Sequence, residues 1–465
     1  MVEAASKYVD LIVEGASVLS MDQLGRFWPR GSIAIKDGKI IDVGTAEDIR
    51  GRFTTGENID GTGMAVVPGF VSCHGHAAQC LLRGVAEEFP LDTWLKSTVW
   101  PLMSHAGPEE TYAGARLACL EMIMSGITTF ADMWRDLPAT VDAVSQSGLR
   151  ARLAFNMRDF DDLNALEKEW SQGAEALSLC PSSRIRYGLA PHSLYACSET
   201  LLRRVADAAN KDGCHVQIHL AETQDEMLHC QQVHGMGLVD RLEKVGLLGP
   251  NLLVAHGLWL DQADCRRLAA HRVSLSLNVS SNLKLASGVP HYARFKLAGL
   301  NVGLGTDSAA CNNVLDPFRE MRLTAIVQRS LAQEPVPFAA YEALGLATRK
   351  GAQALGMADE IGSIEVGKCA DLVMIDLHKP HIQPSNGIDR DALAELLVFA
   401  ATGRDVHTVI VGGDVVMRDR KVRTLVPSDV IEDARAAVER LMARAEKGLH
   451  LVQNSALGCV RCTTR

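Results

Sequence analysis

The chain has 465 residues, of which 47% are hydrophobic and 22% are charged, a composition typical of a globular protein with a sizeable core. Its formal net charge is -9 and it has no block of Lys and Arg, which argues against nucleic acid as a partner. No apolar stretch reaches the roughly 18 to 20 residues that a membrane-spanning helix needs.

The first ten residues lack the basic start and apolar stretch of a secretion signal, so we expect a cytoplasmic location. The 12 cysteines are scattered along the chain, which indicates reduced thiols rather than a disulfide framework. Cys459 and Cys462 form one CxxC pair near the end of the chain. Because no second pair accompanies it, an incidental spacing is favoured over a zinc or redox site.

The first predicted elements are alternating strands in residues 8–43, which contain a tight Asp-Gly turn. A second group of the same kind lies in residues 362–418. Neither group has enough strands to bury a face alone, so we expect the two flanks to pair into one small β-sandwich. This domain is predicted to comprise residues 1–66 and 360–465, and to include a final helix over residues 429–447 that packs against a neighbouring domain.

Between the flanks, short β-like runs alternate with amphipathic helical segments. Eight such runs occur, at residues 65–72, 128–131, 151–156, 185–190, 215–220, 252–255, 273–277 and 302–305. The predicted helices between them include residues 109–125, 198–212, 236–245 and 261–270. Eight strand-helix repeats favour an α/β fold, a (β/α)8 TIM barrel over residues 67–359, with its chemistry at the carboxyl ends of the strands. A doubly wound sheet is the alternative, but no Gly-rich phosphate-binding turn follows the first run.

The most informative motif is the end of the first run, where two histidines separated by Gly75 follow an apolar segment. Residues two apart on a strand point to the same side, so His74 and His76 can direct both imidazoles at one metal ion. A single His-x-His pair is about as often structural. The ends of the other strands therefore decide whether this is a metal site.

Three other strand ends carry residues of the ligand type. His219 and Glu222 close the fifth run, His256 follows the sixth, and Asp307 follows the eighth. Because the carboxyl ends of barrel strands meet at one mouth, we expect these side chains to converge with the His-x-His pair. Nitrogen and oxygen ligands without a thiolate suit Zn²⁺, Fe²⁺, Co²⁺ or Mn²⁺.

A catalytic metal site needs an activated water and groups that move protons. Glu222, three residues after His219, is the predicted general acid/base that reaches a substrate nitrogen. Asp307 can bind the metal through one oxygen and accept the proton of the water with the other. His256 can stabilise the water or Asp307 electrostatically. Alternatively, it can orient a metal ligand without contacting the metal itself. His192 ends the fourth run, where it can donate to a polarised substrate atom or serve a structural role.

These motifs and the run Gly362 to Val373 resemble the amidohydrolase superfamily over essentially the whole chain. Segments 81–87, 126–133 and 281–288 are similar to the branch of methylthioadenosine and S-adenosylhomocysteine deaminases, with chloro-triazine hydrolases nearby. The resemblance implies a homodimer or larger oligomer. It also implies one divalent metal ion, with zinc as the first choice, bound by His74, His76, His219 and Asp307. It also implies hydrolytic loss of an amine or another leaving group from a carbon flanked by ring nitrogens. No lysine ends the fourth run, as binuclear relatives would need, which favours one metal over two.

Two departures from this branch concern the substrate. By count from His76, Met103 stands where these deaminases have a glutamate that holds the ribose hydroxyls, and a thioether cannot accept those hydrogen bonds. The run 275–282 also lacks the histidine and proline that usually precede Ser-Asn. With Trp94 and Met133 as further predicted substrate contacts, these changes predict an apolar pocket and a substrate smaller or more apolar than adenosine.

Three functions are therefore open. The first is a metal-dependent aminohydrolase, or deaminase, that attacks an N-heterocyclic substrate through a metal-activated hydroxide. The second is removal of a non-amine leaving group, as in triazine dechlorination, or hydrolysis of a urea or carbamate bond. The third is a non-catalytic scaffold, which the complete set of ligand-type residues disfavours.

Overall fold

The structure is a computed structural model that describes residues 7–85, 88–179, 182–332, 338–385 and 389–449. Cys459 and Cys462 lie outside the described residues, as do residues 86–87 of one resemblance motif. Among the described residues, no helix is both long enough and apolar enough to cross a membrane.

The described strands are β1 (Lys7–Leu19), β2 (Phe27–Lys36), β3 (Lys39–Thr45), β4 (Phe53–Asp60), β5 (Met64–Pro68), β6 (Phe70–Ser72), β7 (Ile127–Trp134), β8 (Arg150–Met157), β9 (Ile185–Pro191), β10 (His215–Leu220), β11 (Leu252–His256), β12 (Ser274–Leu277), β13 (Asn301–Leu304), β14 (Leu372–Asp376), β15 (Val406–Val411), β16 (Asp414–Arg418) and β17 (Lys421–Val422).

The described α-helices are α1 (Ala46–Arg52), α2 (Leu91–Trp94), α3 (Trp100–Met103), α4 (Pro108–Ser125), α5 (Leu137–Ser147), α6 (Leu163–Leu177), α7 (Glu199–Asp212), α8 (Gln224–His234), α9 (Leu238–Lys244), α10 (Gln262–Ala270), α11 (Val279–Lys284), α12 (Tyr292–Ala298), α13 (Ala309–Asn312), α14 (Pro317–Ala332), α15 (Ala340–Leu346), α16 (Arg349–Ala354), α17 (Arg390–Phe399) and α18 (Pro427–Leu449). Short 3-10 helices span Ala77–Leu82 and Gly403–Asp405, and a π-helical turn spans Leu95–Val99.

Strands β6 to β13 form a nearly closed parallel barrel in chain order. The gap between its first and last strands is bridged where the Cys73 amide donates to the Leu304 carbonyl at 2.7 Å. Both faces of the barrel strands are covered, and every residue of β10 is buried. Their carboxyl ends meet at one mouth, which confirms the predicted (β/α)8 barrel.

The other nine strands form one mixed sheet that unites the two flanks of the chain. Its order is β17-β16-β15-β14-β5-β1-β2-β3, with β4 beside β1. One buried cluster joins Val13 and Ile33 from the N-terminal flank to Leu372, Met374 and Ile410 from the C-terminal flank. The expected small β domain built from both flanks is therefore confirmed.

One strand prediction is wrong. The apolar pattern of residues 65–72 predicts a single strand, but β5 pairs antiparallel with β14 in the mixed sheet, and β6 begins the barrel. Gly69 lies between them, where a Cβ would come within 2.0 Å of the Thr128 hydroxyl. A glycine is needed at this close crossing, and the continuous hydrophobic pattern hides the break. The proposed domain division, residues 1–66 with 360–465 and residues 67–359, stays a proposal.

The predicted helices occur as α4, α7, α9, α10 and α18, with ends shifted by at most a few residues. The final helix α18 packs on α4, where Arg440 and Arg444 donate to the buried carboxylate of Glu110. Its residue Leu441 shares a cluster with Trp94 and with other residues of segment 91–103. This helix thereby supports the segment that covers one side of the barrel mouth.

Candidate active site

Five predicted site residues meet at the barrel mouth. His74 and His76 follow β6, His219 lies in β10, His256 ends β11 and Asp307 follows β13. The Nε2 atoms of His76 and His219 are 3.3 Å apart. Asp307 Oδ1 lies 3.6 Å from His74 Nε2 and 3.9 Å from His76 Nε2. Two overlapping groups could hold a cation: His74, His76 and His219, or His74, His256 and Asp307, with potential ligand atoms of each group within 4.8 Å of one another.

Backbone carbonyls determine which nitrogen of two imidazoles faces the centre. His76 Nδ1 donates to the Met133 carbonyl at 3.0 Å, and His219 Nδ1 donates to the His192 carbonyl at 2.7 Å. Burial lowers the pKa of His219 well below its usual value. With the hydrogen of each neutral ring on Nδ1, the two Nε2 atoms would present lone pairs to each other, and a cation between them would make this arrangement favourable.

The remaining donors converge on the same space. His74 Nε2 is buried and has no hydrogen-bond partner among the described residues. Burial alone would raise the pKa of Asp307, but the charges of His74, His256 and His76 outweigh it and lower that pKa to about 2. Nitrogen ligands about 2.0–2.1 Å from a tetrahedral zinc ion lie about 3.4 Å apart, close to the His76–His219 separation. The donor set therefore fits a single first-row transition metal.

Glu222 lies beside this cluster as a buried acid. Its Oε2 is 3.7 Å from His256 Nε2, and burial, with added repulsion from Asp307 and Glu226, raises its pKa well above the usual value. The preceding Ala221 has a φ of 51°, in the left-handed region, and the Glu226 carboxylate accepts the Glu222 amide hydrogen at 3.0 Å. A strained turn held by Glu226 thus presents a carboxyl group that keeps its proton above the usual pH range of a glutamic acid.

A cavity of about 380 Å³ opens above the cluster, within the range of small-molecule sites. The four predicted substrate contacts, His192, Trp94, Met103 and Met133, all line it. Burial, followed by the charge of Arg158, lowers the pKa of His192 to about 3, so this imidazole is neutral. Its Nδ1 lies 3.2 Å from the Ser193 hydroxyl.

Two cavity residues were missed at the sequence level. Arg158 follows β8, and its guanidinium carbon lies 4.9 Å from the centre of the Trp100 ring. Arg135 follows β7 and pairs with the buried carboxylate of Glu169. Both arginines follow a barrel strand, as His192 does, so the same rule predicts their place at the mouth. The pocket therefore has an apolar wall and a cationic edge.

The Asn residues behind His256 were also missed. Asn282 and Asn278 each direct an amide nitrogen at His256 Nδ1, at 2.8 and 3.3 Å. In the sequence, residues 275–282 depart from the resembled branch and residues 281–288 match it, and neither pattern predicts a contact with His256. Side-chain amides leave no periodic signal, so their contact with His256 depends on the fold.

The sequence matches the amidohydrolase family over residues 65–416. The chain belongs to this family. The expected resemblance is thereby confirmed.

The amidohydrolase is 38% identical over 443 residues to a protein of Pelotomaculum thermopropionicum named 5-methylthioadenosine/S-adenosylhomocysteine deaminase, with 94% of this chain and 99% of that protein covered. A crystal structure of an adenosine deaminase from Xanthomonas campestris with bound zinc is 30% identical, with a TM-score of 0.88 over 94% of this chain and all of that chain. An atrazine chlorohydrolase of Arthrobacter aurescens shares the fold at 22% identity, with a TM-score of 0.83 over 92% of this chain and all of that chain.

Proposed function

We propose that this amidohydrolase is a metal-dependent aminohydrolase that removes an amino group from a ring carbon of an N-heterocyclic substrate. One observation carries the proposal: the buried Glu222 carboxyl, with its raised pKa, lies beside the two overlapping groups of potential metal ligands, 3.7 Å from His256. A protonated carboxyl beside a metal site suits a leaving nitrogen that must gain a proton. The deaminases of Pelotomaculum and Xanthomonas support the same reaction class.

His74, His76, His219 and Asp307 are the proposed ligands of one divalent transition metal, with Zn²⁺ first and Fe²⁺, Co²⁺ or Mn²⁺ as alternatives. When bound, such an ion lowers the pKa of its water to about 7 and thereby supplies the nucleophile. The facing lone pairs of His76 and His219, the unpartnered His74 Nε2 and the ionised Asp307 support this set. The zinc in the Xanthomonas structure supports the first choice of metal.

Asp307 and Glu222 then carry out two different proton transfers. Asp307, ionised even at low pH, accepts the proton of the attacking water. Glu222 delivers a proton to the departing nitrogen. His256 lies within 3.7 Å of Glu222 and orients the water, while the neutral His192 can donate a hydrogen bond to a polarised ring atom.

The residues that line the cavity wall favour a substrate that does not bind through the two hydroxyl groups of a ribose. Met103 lies in this wall beside Trp94, Trp100 and Leu95, and its thioether is at most a weak hydrogen-bond acceptor. Met133 lines the same cavity. We therefore propose that the preferred substrate is smaller or more apolar than adenosine where it faces Met103. The names of the relatives refer to nucleosides, so this substrate class is a prediction that differs from them.

The alternative reactions differ in the group that leaves. A triazine dechlorinase releases chloride, which needs no proton from Glu222, and a urea or carbamate hydrolase releases an amine from a non-aromatic carbon. The protonated state of Glu222 favours loss of nitrogen over loss of chloride. A non-catalytic scaffold would have no use for an acid of raised pKa beside a set of metal ligands.

A substrate screen tests the proposal. Metal-replete enzyme is offered methylthioadenosine, S-adenosylhomocysteine, adenosine, guanine, pterins and chloro- or amino-triazines, with detection of both ammonia and chloride. Ammonia release from a compound without ribose supports both the reaction and the substrate class. Efficient turnover of a ribonucleoside contradicts the interpretation of Met103, and release of chloride alone contradicts the aminohydrolase. Less than about 0.2 equivalent of bound metal after metal-supplemented growth would favour the scaffold, because catalytic metal sites bind near one ion per site.

A further inference from the structure

The two ring nitrogens of His256 have different neighbours. Nε2 lies 3.7 Å from Glu222 Oε2, at the cavity. Nδ1 lies 2.8 Å from the amide nitrogen of Asn282 and 3.3 Å from that of Asn278. Both asparagines are fully buried, so solvent does not compete for this nitrogen.

Asn278 makes a second buried hydrogen bond through its amide oxygen. The Ser276 hydroxyl donates to Asn278 Oδ1 at 2.9 Å, which leaves the NH₂ group of Asn278 to face His256. Gly305 makes room for this pair, because a Cβ there would come within 2.4 Å of Asn278 Oδ1 and 2.5 Å of the Ser276 hydroxyl. Asn282 Oδ1 has no hydrogen-bond partner among the described residues, and the NH₂ group of Asn282 faces His256 Nδ1.

An imidazole nitrogen that faces two N–H donors must act as an acceptor. We propose that Asn278 and Asn282 are positioning residues that hold neutral His256 in the tautomer with hydrogen on Nε2. The inference rests on the proposed function for its catalytic meaning, but the tautomer itself does not depend on it.

This assignment separates the two overlapping groups of potential ligands. With a hydrogen on Nε2, His256 has no lone pair to offer at the cavity side, so the ion is left to His74, His76, His219 and Asp307. His256 instead donates a hydrogen bond toward the attacking water or the Asp307 carboxylate. Gly305, two residues before Asp307, leaves the space that Asn278 and Ser276 occupy next to His256.

The test is the substitution Asn282→Asp in zinc-replete enzyme. A carboxylate of the same shape can only accept, so it moves the hydrogen of His256 to Nδ1. Nitrogen NMR of histidine-labelled protein, with His256→Gln to assign the resonance, should show an unprotonated Nδ1 in the wild type and a protonated Nδ1 in the variant. In serine proteases the wrong histidine tautomer lowers kcat by about 10⁴. We expect kcat to fall by about 10² or more, since His256 assists here without itself transferring the proton, while KM changes less than about threefold and zinc content is retained.

The matched control is Asn301→Asp, the same chemical change at the start of β13, where the amide donates to the Ser274 hydroxyl at 3.1 Å. It should leave the His256 resonances unchanged and kcat within about twofold, because Asn301 lies at the opposite end of the strand from the catalytic mouth. Asn282→Ala serves if the aspartate variant does not fold. It should keep the wild-type tautomer through Asn278 and lose less activity.

A wild-type His256 with hydrogen on Nδ1 would overturn the proposal, as would an Asn282→Asp variant that behaves like the Asn301 control. If the substrate screen finds no released ammonia, the NMR pattern still decides the tautomer. Failure of the proposed function is therefore distinguishable from failure of this inference.

Discussion

The substitution Glu222→Gln separates proton transfer from every other property of the site. Gln has nearly the same shape and fills the same buried position, but its amide does not deliver a proton. Glu222 is only 7% exposed, so bulk water has little access to replace it. Of the neighbouring groups, Asp307 has a pKa of about 2 and is ionised, and His256 has a pKa lowered to about 4 by burial and is neutral. Before the water transfers its proton to Asp307, neither group can supply a proton at neutral pH.

We therefore expect kcat to fall by 10² or more, since general acid catalysis contributes about 10²–10⁴, and a factor of 10² corresponds to about 2.7 kcal/mol of transition-state stabilisation. Metal content, measured by mass spectrometry of the purified protein, should stay at the wild-type level because Glu222 is outside the proposed ligand set. Glu167→Gln is the control, since Glu167 is an exposed residue of α6 that pairs with Arg204. A Glu222→Gln enzyme with full metal content and activity within about fivefold of wild type would refute the acid/base assignment.

His219→Ala should lose bound metal together with activity, and full metal content in this variant would exclude His219 as a ligand. Met103→Glu should raise kcat/KM for adenosine about tenfold or more, because a carboxylate can accept hydroxyl hydrogen bonds worth about 1.5–3 kcal/mol each; no gain would argue that Met103 does not face the sugar position. Asp371→Ala should lower the free energy of unfolding by about 3–5 kcal/mol in urea titrations. Arg150 Nε lies 3.1 Å from Asp371 Oδ2, and the substitution leaves this buried guanidinium without its carboxylate partner. A loss below about 1 kcal/mol would contradict that account.

Much of the site could be predicted from sequence because of one geometric rule. Parallel barrel strands bring their carboxyl ends together, so polar residues that interrupt apolar runs at those ends must meet. His74, His76, His219, His256 and Asp307 all obey this rule, and the structure places them in two overlapping groups, each of which could hold an ion. The same rule placed Glu222 and His192 at the cavity.

The remainder depended on contacts that leave no periodic signal. The break at Gly69 is invisible in a continuous apolar run and follows from the close approach of Thr128. The contact of Asn282 with His256 spans 26 residues of sequence and requires the β11 and β12 loops to be adjacent. Arg158 is an exception, because it follows β8 and the rule for strand ends predicts its position. The cytoplasmic location and the homodimer or larger oligomer stay predictions.

The most direct measurement is ammonia release by the purified enzyme before chelation, after chelation and after addition of one equivalent of Zn²⁺. The substrate is the best amine found in the screen. The account predicts ammonia release that is lost with the metal and restored by zinc, in wild type and in Glu167→Gln but not in His219→Ala. Ammonia release that survives complete removal of the metal, or a metal-replete enzyme that releases no ammonia from any heterocyclic amine, would contradict it.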